Sequence, residues 1–340
     1  MKAAQRSVLA AGYVPLDIVN YRGRIWHAAG GTAGNVAALL GFLGWRASLA
    51  ADLGDDVAGR LVRRDLMKAN VSVELVRLNP ALATPRLVHE ITGAGHRYLF
   101  RCPSCQQRFP TSRPLRSDRA TELIAQSVAP DVFFFDRLNA GTILLAEHFA
   151  NVGSVVVFEP SRRARADLTQ RAINVAHVIK QADDRDTGLS EAVPARGQVW
   201  IVTGGARGAR FRVGAGAWHE SPGFSYPVVD AGGAGDWATA GLVHALRLSG
   251  RRTVSDVGDA LRWAQALAAV SCGAPGARGL ARQQSADAVL KAASFIERRG
   301  EQRSTPGSLG KLVSSSVPSA TCRWCLQAVP ATRANTGTDR

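Results

Sequence analysis

The densest group of chemically pointed residues is Val229-Asp-Ala-Gly-Gly-Ala-Gly-Asp236-Trp-Ala-Thr-Ala-Gly241, where five small residues between two aspartates lead straight into an amphipathic run. Small residues let backbone approach a ligand, and a helix start presents N–H groups that bind anions. A phosphate fits there. Asp236, at the head of that helix, would repel the anion, yet it is well placed to take a proton from a hydroxyl attacking the phosphate. The competing reading makes Asp236 an ordinary helix N-cap. A second cluster, His27-Ala-Ala-Gly30-Gly31-Thr-Ala-Gly34-Asn35, also opens a helix. It has neither the Gly-x-Gly-x-x-Gly order of a dinucleotide site nor the Gly-Lys-Ser/Thr ending of a Walker loop. Beside the first cluster it suggests the polar end of a substrate pocket, with Asn35 able to bond hydroxyls; alone, it reads as a tight strand-to-helix turn.

Four of the five cysteines form two CxxC pairs, Cys102-Pro-Ser-Cys105 and Cys322-Arg-Trp-Cys325, and Cys272 stands apart in an apolar helix. Each pair has the short loop that lets two thiolates grip one tetrahedral metal, and a shared Zn²⁺ would staple the two segments together. Separate redox pairs and incidental cysteines are the alternatives.

These residues need a scaffold. Continuous apolar runs at 7–13, 131–135, 154–158, 175–180 and 199–203 suit parallel strands covered on both faces, rather than half-exposed ones. Between them lie helical patterns, such as Val36, Leu39, Leu40 and Leu43, and again Ala238, Leu242, Ala245 and Leu246. The alternation predicts an α/β doubly wound, mainly parallel sheet flanked by helices. Residues 84–101 differ: two β-like runs flank Thr92-Gly-Ala-Gly95, the pattern of a hairpin standing off as a small β lid or lying at the main sheet's edge. A globular domain over 1–296 and an irregular basic tail over 297–340 follow from the composition change near Glu297.

Composition narrows the function. The 340 residues hold 42 Lys and Arg against 27 Asp and Glu, a net +15 that attracts polyanions, nucleotides or phosphorylated metabolites. A solvated excess of Arg needs no such partner, so nucleic acid is the less favoured one. The 46% apolar content excludes a disordered chain. Without a membrane-length apolar run or a signal-like start, the expectation is a cytoplasmic protein with no membrane partner.

Gly30-Gly31-Thr-Ala-Gly-Asn35 through Gly44, followed by Ala51-Asp-Leu-Gly54-Asp55-Asp56-Val-Ala-Gly59, resembles the N-terminal signature of the ribokinase (PfkB) family of carbohydrate and nucleoside kinases, and Asp230 to Gly241 resembles its C-terminal signature. The likeness covers roughly 7–290. It implies a ribokinase-like sheet with a β lid, ATP and Mg²⁺, and transfer of the γ-phosphoryl group to a hydroxyl of a sugar, nucleoside or related polyol. By position it makes Asp236 the base, the amides of Gly233, Ala234 and Gly235 the anion hole, and Asp17, Gly31 and Asn35 the acceptor site. It makes Thr203, Gly205 and Gly208 the nucleotide loop, and Asp230 with 271–277 a monovalent-cation site. A homodimer through the lid is a further implication. The sequence departs from the family at Ala231, where many relatives carry Thr, at the bulky Trp237, and at Lys180-Gln-Ala-Asp183, where the Mg²⁺-positioning Asn-x-x-Glu keeps an acid but has Lys in the Asn place. The rival function is a zinc-stapled, kinase-derived module that binds nucleotide or nucleic acid without turnover.

Overall fold

The structure is a computed structural model that describes residues 5–189, 195, 197–246, 252–299 and 322–326. The first half runs β1 (Ser7–Ala11), β2 (Leu16–Tyr21), β3 (Arg24–Ala29), α1 (Thr32–Phe42), β4 (Arg46–Gly54), α2 (Val57–Lys68), β5 (Val71–Ser72), β6 (Val76–Asn79), β7 (Arg86–Thr92) and β8 (Gly95–Leu99). There follow α3 (Ser117–Gln126), β9 (Val132–Phe135), α4 (Ala140–Asn151), β10 (Val155–Phe158), α5 (Ala166–Val175), β11 (Val178–Ala182), β12 (Val199–Thr203), β13 (Ala209–Val213) and β14 (His219–Ser221). Helices α6 (Ala234–Ala245), α7 (Val254–Ser271), α8 (Gly279–Gln283) and α9 (Ala286–Arg299) complete the described elements.

Ten strands form the main sheet in the order β14-β13-β12-β11-β10-β9-β1-β4-β5, with β6 also pairing β4. All pairings from β12 to β5 are parallel; only the β12–β13 and β13–β14 pairings are antiparallel. The all-apolar β9 shows why. Phe134 joins the core under α1, α6 and α7, whereas Phe133 and Phe135 join the opposite core under α4 and α5. A strand covered on both faces cannot alternate apolar with polar residues, and each buried Phe contributes about 1.5–3 kcal/mol.

The lid is a separate four-stranded sheet, β3-β2-β7-β8, which decides against an edge hairpin. Its second hairpin, β2–β3, was not legible in the apolar runs. Arg22 and Gly23, at φ 52° and 78°, make the two-residue turn with both central residues left-handed that hairpins favour. Asp17 therefore sits inside a strand rather than in an exposed loop. Two expected strands are shorter than their apolar runs: β1 stops before Gly12, where the Tyr13 amide turns to Asp136 Oδ1 (2.8 Å), and Val175 closes α5 before β11 begins. Helix α9 runs past 296 to Arg299, and of the expected tail beyond it only 322–326 lies within the described residues, with Trp324 and Leu326 buried in the main core.

Candidate active site

The head of α6 lies beyond the carboxyl ends of the parallel strands, where ligands of open α/β sheets bind. The buried Asp230 carboxylate shapes the loop before it, accepting the Gly232 and Gly276 amides at 2.8 Å each. Gly233 caps the helix at φ 85°, and a Cβ there would lie 2.4 Å from that of Ala277, so only glycine fits. No side chain caps the helix. The Ala234 amide turns back to Ala231 O at 3.2 Å, a long bond that a charged acceptor can replace, and Gly235 is exposed.

Asp236 stands in the first turn, beyond the N-cap, so the capping reading fails. Its Oδ2 accepts from Asn35 Nδ2 at 2.6 Å. Burial pushes its carboxyl up to about 6, helped by Glu159 and opposed by the Asn35 hydrogen bond, Lys180 and Arg185. Lys180 pairs with Glu159 Oε1 at 2.7 Å, and Thr239, one turn beyond Asp236, holds Glu159 Oε2 at 2.5 Å. A Cβ on Gly235 would meet only Lys180 Nζ, at 3.8 Å. The residue in the Asn place thus brings a buried ammonium to the helix head, already paired with an acid that sequence comparison did not single out.

Asp17 and Asn35 converge from β2 and α1. Gly30 makes room for Asp17, since a Cβ there would fall 2.1 Å from its carboxyl, and a Cβ on Gly31, at φ 72°, would fall equally close to Tyr13 O. Burial pushes the Asp17 carboxyl up to about 7, against the pull of His89 and Arg278. Among the described residues, Asp17 Oδ1 and Asn35 Oδ1 are buried without a hydrogen-bond partner. Two orphaned acceptors lining one cleft, with Trp26 and Arg278, suit a ligand rich in hydroxyls. From the lid, His96 Nδ1 lies 3.0 Å and His89 Nε2 3.4 Å from the Asp230 carboxylate. Alternation outward from the β7–β8 turn could have placed both histidines on one face.

Thr203 ends β12, and Gly205 and Gly208, at φ 59° and 98°, carry the loop back onto itself through a Gly204 N–H to Gly208 O bond of 2.7 Å. Asp183 sits against this loop and pairs with Arg207, so Glu159, not Asp183, is the acid beside Asp236. The four CxxC cysteines gather at a different place. Cys102, Cys105 and Cys325 hold their sulfurs within 4.8 Å of one another, and Cys322 Sγ lies 3.8 Å from Cys102 Sγ.

Residues 9–284 match the family described as "pfkB family carbohydrate kinase". The chain belongs to that family. This kinase is 29% identical over 315 residues to the ATP-dependent ribose-1-phosphate kinase of Halopiger xanaduensis, across 86% of this chain and 98% of the relative. It is 27% identical to a fructokinase of Klebsiella pneumoniae, across 67% of this chain and 80% of the relative. Its fold matches a double mutant of the fructokinase of Vibrio cholerae O395 solved with fructose, ADP and potassium (TM-score 0.66, 20% identity, 85% of this chain and 98% of that one). It also matches the aminoimidazole riboside kinase of Salmonella enterica (TM-score 0.65, 21% identity, 85% and 100%). At such identities the likeness is one of fold, here the ribokinase-like one. Among the described residues, no helix of this sugar or nucleoside kinase is long and apolar enough to cross a membrane.

Proposed function

We propose that this kinase transfers the γ-phosphoryl group of ATP to a hydroxyl of a sugar, nucleoside or related polyol, with Asp236 as the base. The observation that carries the reading is the Asp236 carboxylate at the α6 head, bonded to Asn35 at 2.6 Å and raised to about 6. Asp17 and Asn35 hold acceptor hydroxyls through their orphaned oxygens. Once a hydroxyl is fixed beside Asp236, the carboxylate takes its proton as the oxygen attacks phosphorus, and the Gly233, Ala234 and Gly235 amides with Lys180 receive the negative charge of the phosphoryl oxygens. Thr203, Gly205 and Gly208 carry the nucleotide, and Asp183 steadies their loop through Arg207. Mg²⁺, when bound with ATP, would supply positive charge against the phosphates. Asp236 and Glu159 are the acids that fit it, the latter partly occupied by Lys180.

A monovalent cation would rely on backbone carbonyls around 271–277, because N–H groups take up the Asp230 carboxylate. A second copy of the chain could cover the lid, where Tyr98 and Phe100 are exposed. Nucleic acid remains the less favoured partner, a cytoplasmic setting with its ATP supply the favoured one. Residues 1–296 are proposed as the kinase unit and 297–340 as its appendage. Keeping Asp236 with an empty-handed pair of acceptors beside it favours turnover over a binding module. The test is product formation from ATP with fructose, ribose 1-phosphate and aminoimidazole riboside, chosen from the relatives' own substrates. Phosphorylated product from one of them, lost in Asp236→Asn, supports the reading. Tight ATP binding without product from any sugar or nucleoside favours the module.

A further inference from the structure

Two short loops, 220 residues apart at their first cysteines, share one internal geometry. In each, the amide of the residue after the second cysteine closes onto the carbonyl of the first: Gln106 N–H on Cys102 O at 2.9 Å, and Leu326 N–H on Cys322 O at 2.8 Å. Both closing residues are left-handed, Gln106 at φ 59° and Leu326 at φ 58°, a conformation that side-chain-bearing residues rarely adopt. In each loop the amides two and three positions on point at the first sulfur, those of Ser104 and Cys105 at Cys102, and those of Trp324 and Cys325 at Cys322. These N–H groups orient each first sulfur within its own loop and leave it an acceptor.

The sulfurs of the two loops then meet. Besides the 3.8 Å approach of Cys322 to Cys102, the Cys102, Cys105 and Cys325 sulfurs lie within 4.8 Å of one another. Four thiolates at about 2.3 Å from a tetrahedral ion stand about 3.8 Å apart, whereas disulfide sulfurs stand about 2.0 Å apart. We propose that Cys102, Cys105, Cys322 and Cys325 form a structural zinc site that fastens the 322–326 loop to the root of the lid. Four soft thiolates select zinc and leave no open position, so the ion has no part in the phosphoryl transfer.

What the site fastens is visible in its surroundings. Trp324 and Leu326 are buried in the main core, together with Cys102 and Phe109. The buried Arg86, first residue of β7, donates to Cys325 O and pairs with Asp56, the N-cap of α2, at 3.2 Å. His27 of β3 hydrogen-bonds the Arg323 backbone. Arg86 faces Leu16 across the lid sheet, next to Asp17, so the loop bears on the strands that carry the acceptor-side acid.

The test is metal analysis of the full chain purified without chelator, with about one zinc per chain expected. In a Cys322→Ser, Cys325→Ser variant zinc should fall at least about tenfold, and Cys272→Ser should keep it. A second measurement does not depend on the variant folding: wild type stripped of metal and titrated with Co²⁺ should develop the intense ligand-field and sulfur-to-cobalt charge-transfer bands of a tetrahedral thiolate centre, saturating at one equivalent. Zinc retained in the double variant overturns the shared site. So does wild type that holds no zinc and gives only the weak spectrum of oxygen-bound cobalt, or whose CxxC pairs are found as disulfides.

Discussion

Replacing Asp236 with Asn keeps the side chain's size and an oxygen to accept the Asn35 hydrogen bond, and removes only the charge and the basicity. Two effects of opposite sign follow. Turnover should fall by at least the ~10²-fold of general-base loss, with ATP affinity largely kept. Stability should rise. An aspartate at 3.8 when unfolded and about 6 when folded binds more protons in the folded state between those values, so its folded form loses stability as pH rises through that window. At about 1.4 kcal/mol per pH unit the loss reaches about 3 kcal/mol above pH 6, an upper limit because Asp236 keeps some solvent access. Asparagine does not carry that loss. Denaturant unfolding of both proteins at pH 7.5 and pH 4.5 checks it, the variant being more stable by about 1–3 kcal/mol at the higher pH and by clearly less at the lower. Wild-type turnover in the variant would refute the base. A gain in stability that does not change with pH would refute the electrostatic argument.

Three further outcomes follow from the same geometry. Asp17→Ala should weaken acceptor binding by roughly 2 kcal/mol or more while sparing ATP affinity, because a substrate hydroxyl loses its buried partner; calorimetric titration with each ligand separates this from misfolding, which would weaken both. The rate at low acceptor concentration should rise with pH through a limb between about 6 and 7, since Asp17 and Asp236 must both lose their protons, and the limb should simplify to one group in Asp17→Asn. Lys180→Met should leave Glu159 a buried charge without its cation, costing about 3–5 kcal/mol of stability and moving the Asp236 limb to higher pH, which a pH–rate profile and a melting curve read independently.

The parallel strands were readable because a strand covered on both faces is apolar along its whole length, as in Val132–Phe135. The β2–β3 hairpin was not, because Asp17 and Asn20 interrupt its pattern, and Asp17 is one of the two buried acceptors left without a hydrogen-bond partner in the cleft. The α6 head was readable, since small residues followed by an acid have few uses other than close approach to an anion. The Lys180–Glu159 pair was not: its members are 21 residues apart, one on β11 and one just past the end of β10, and each alone reads as the loss of a known residue or as an ordinary charge. The cysteine pairs could be read as loops suited to metal, but only the converging sulfurs link one pair with the other.

The contacts around Asp236 act as a balance between two failures. A solvent-exposed aspartate near 3.8 is fully ionised at neutral pH but a weak base; at about 6 it is about a hundredfold more basic and still about nine-tenths ionised at pH 7. Enclosure and the nearby Glu159 push it upward. Without opposition they would carry it further up, toward a carboxyl that holds its proton and accepts none. Asn35, Lys180 and Arg185 oppose that rise, and two of them have second duties: Asn35 also faces the acceptor cleft, and Lys180 neutralises Glu159 at the helix head. Lys180 therefore limits the repulsion from Glu159 while keeping that acid beside the head of α6. The departure from the family's Asn-x-x-Glu element is in this respect a change in how charge is balanced around a retained Asp236.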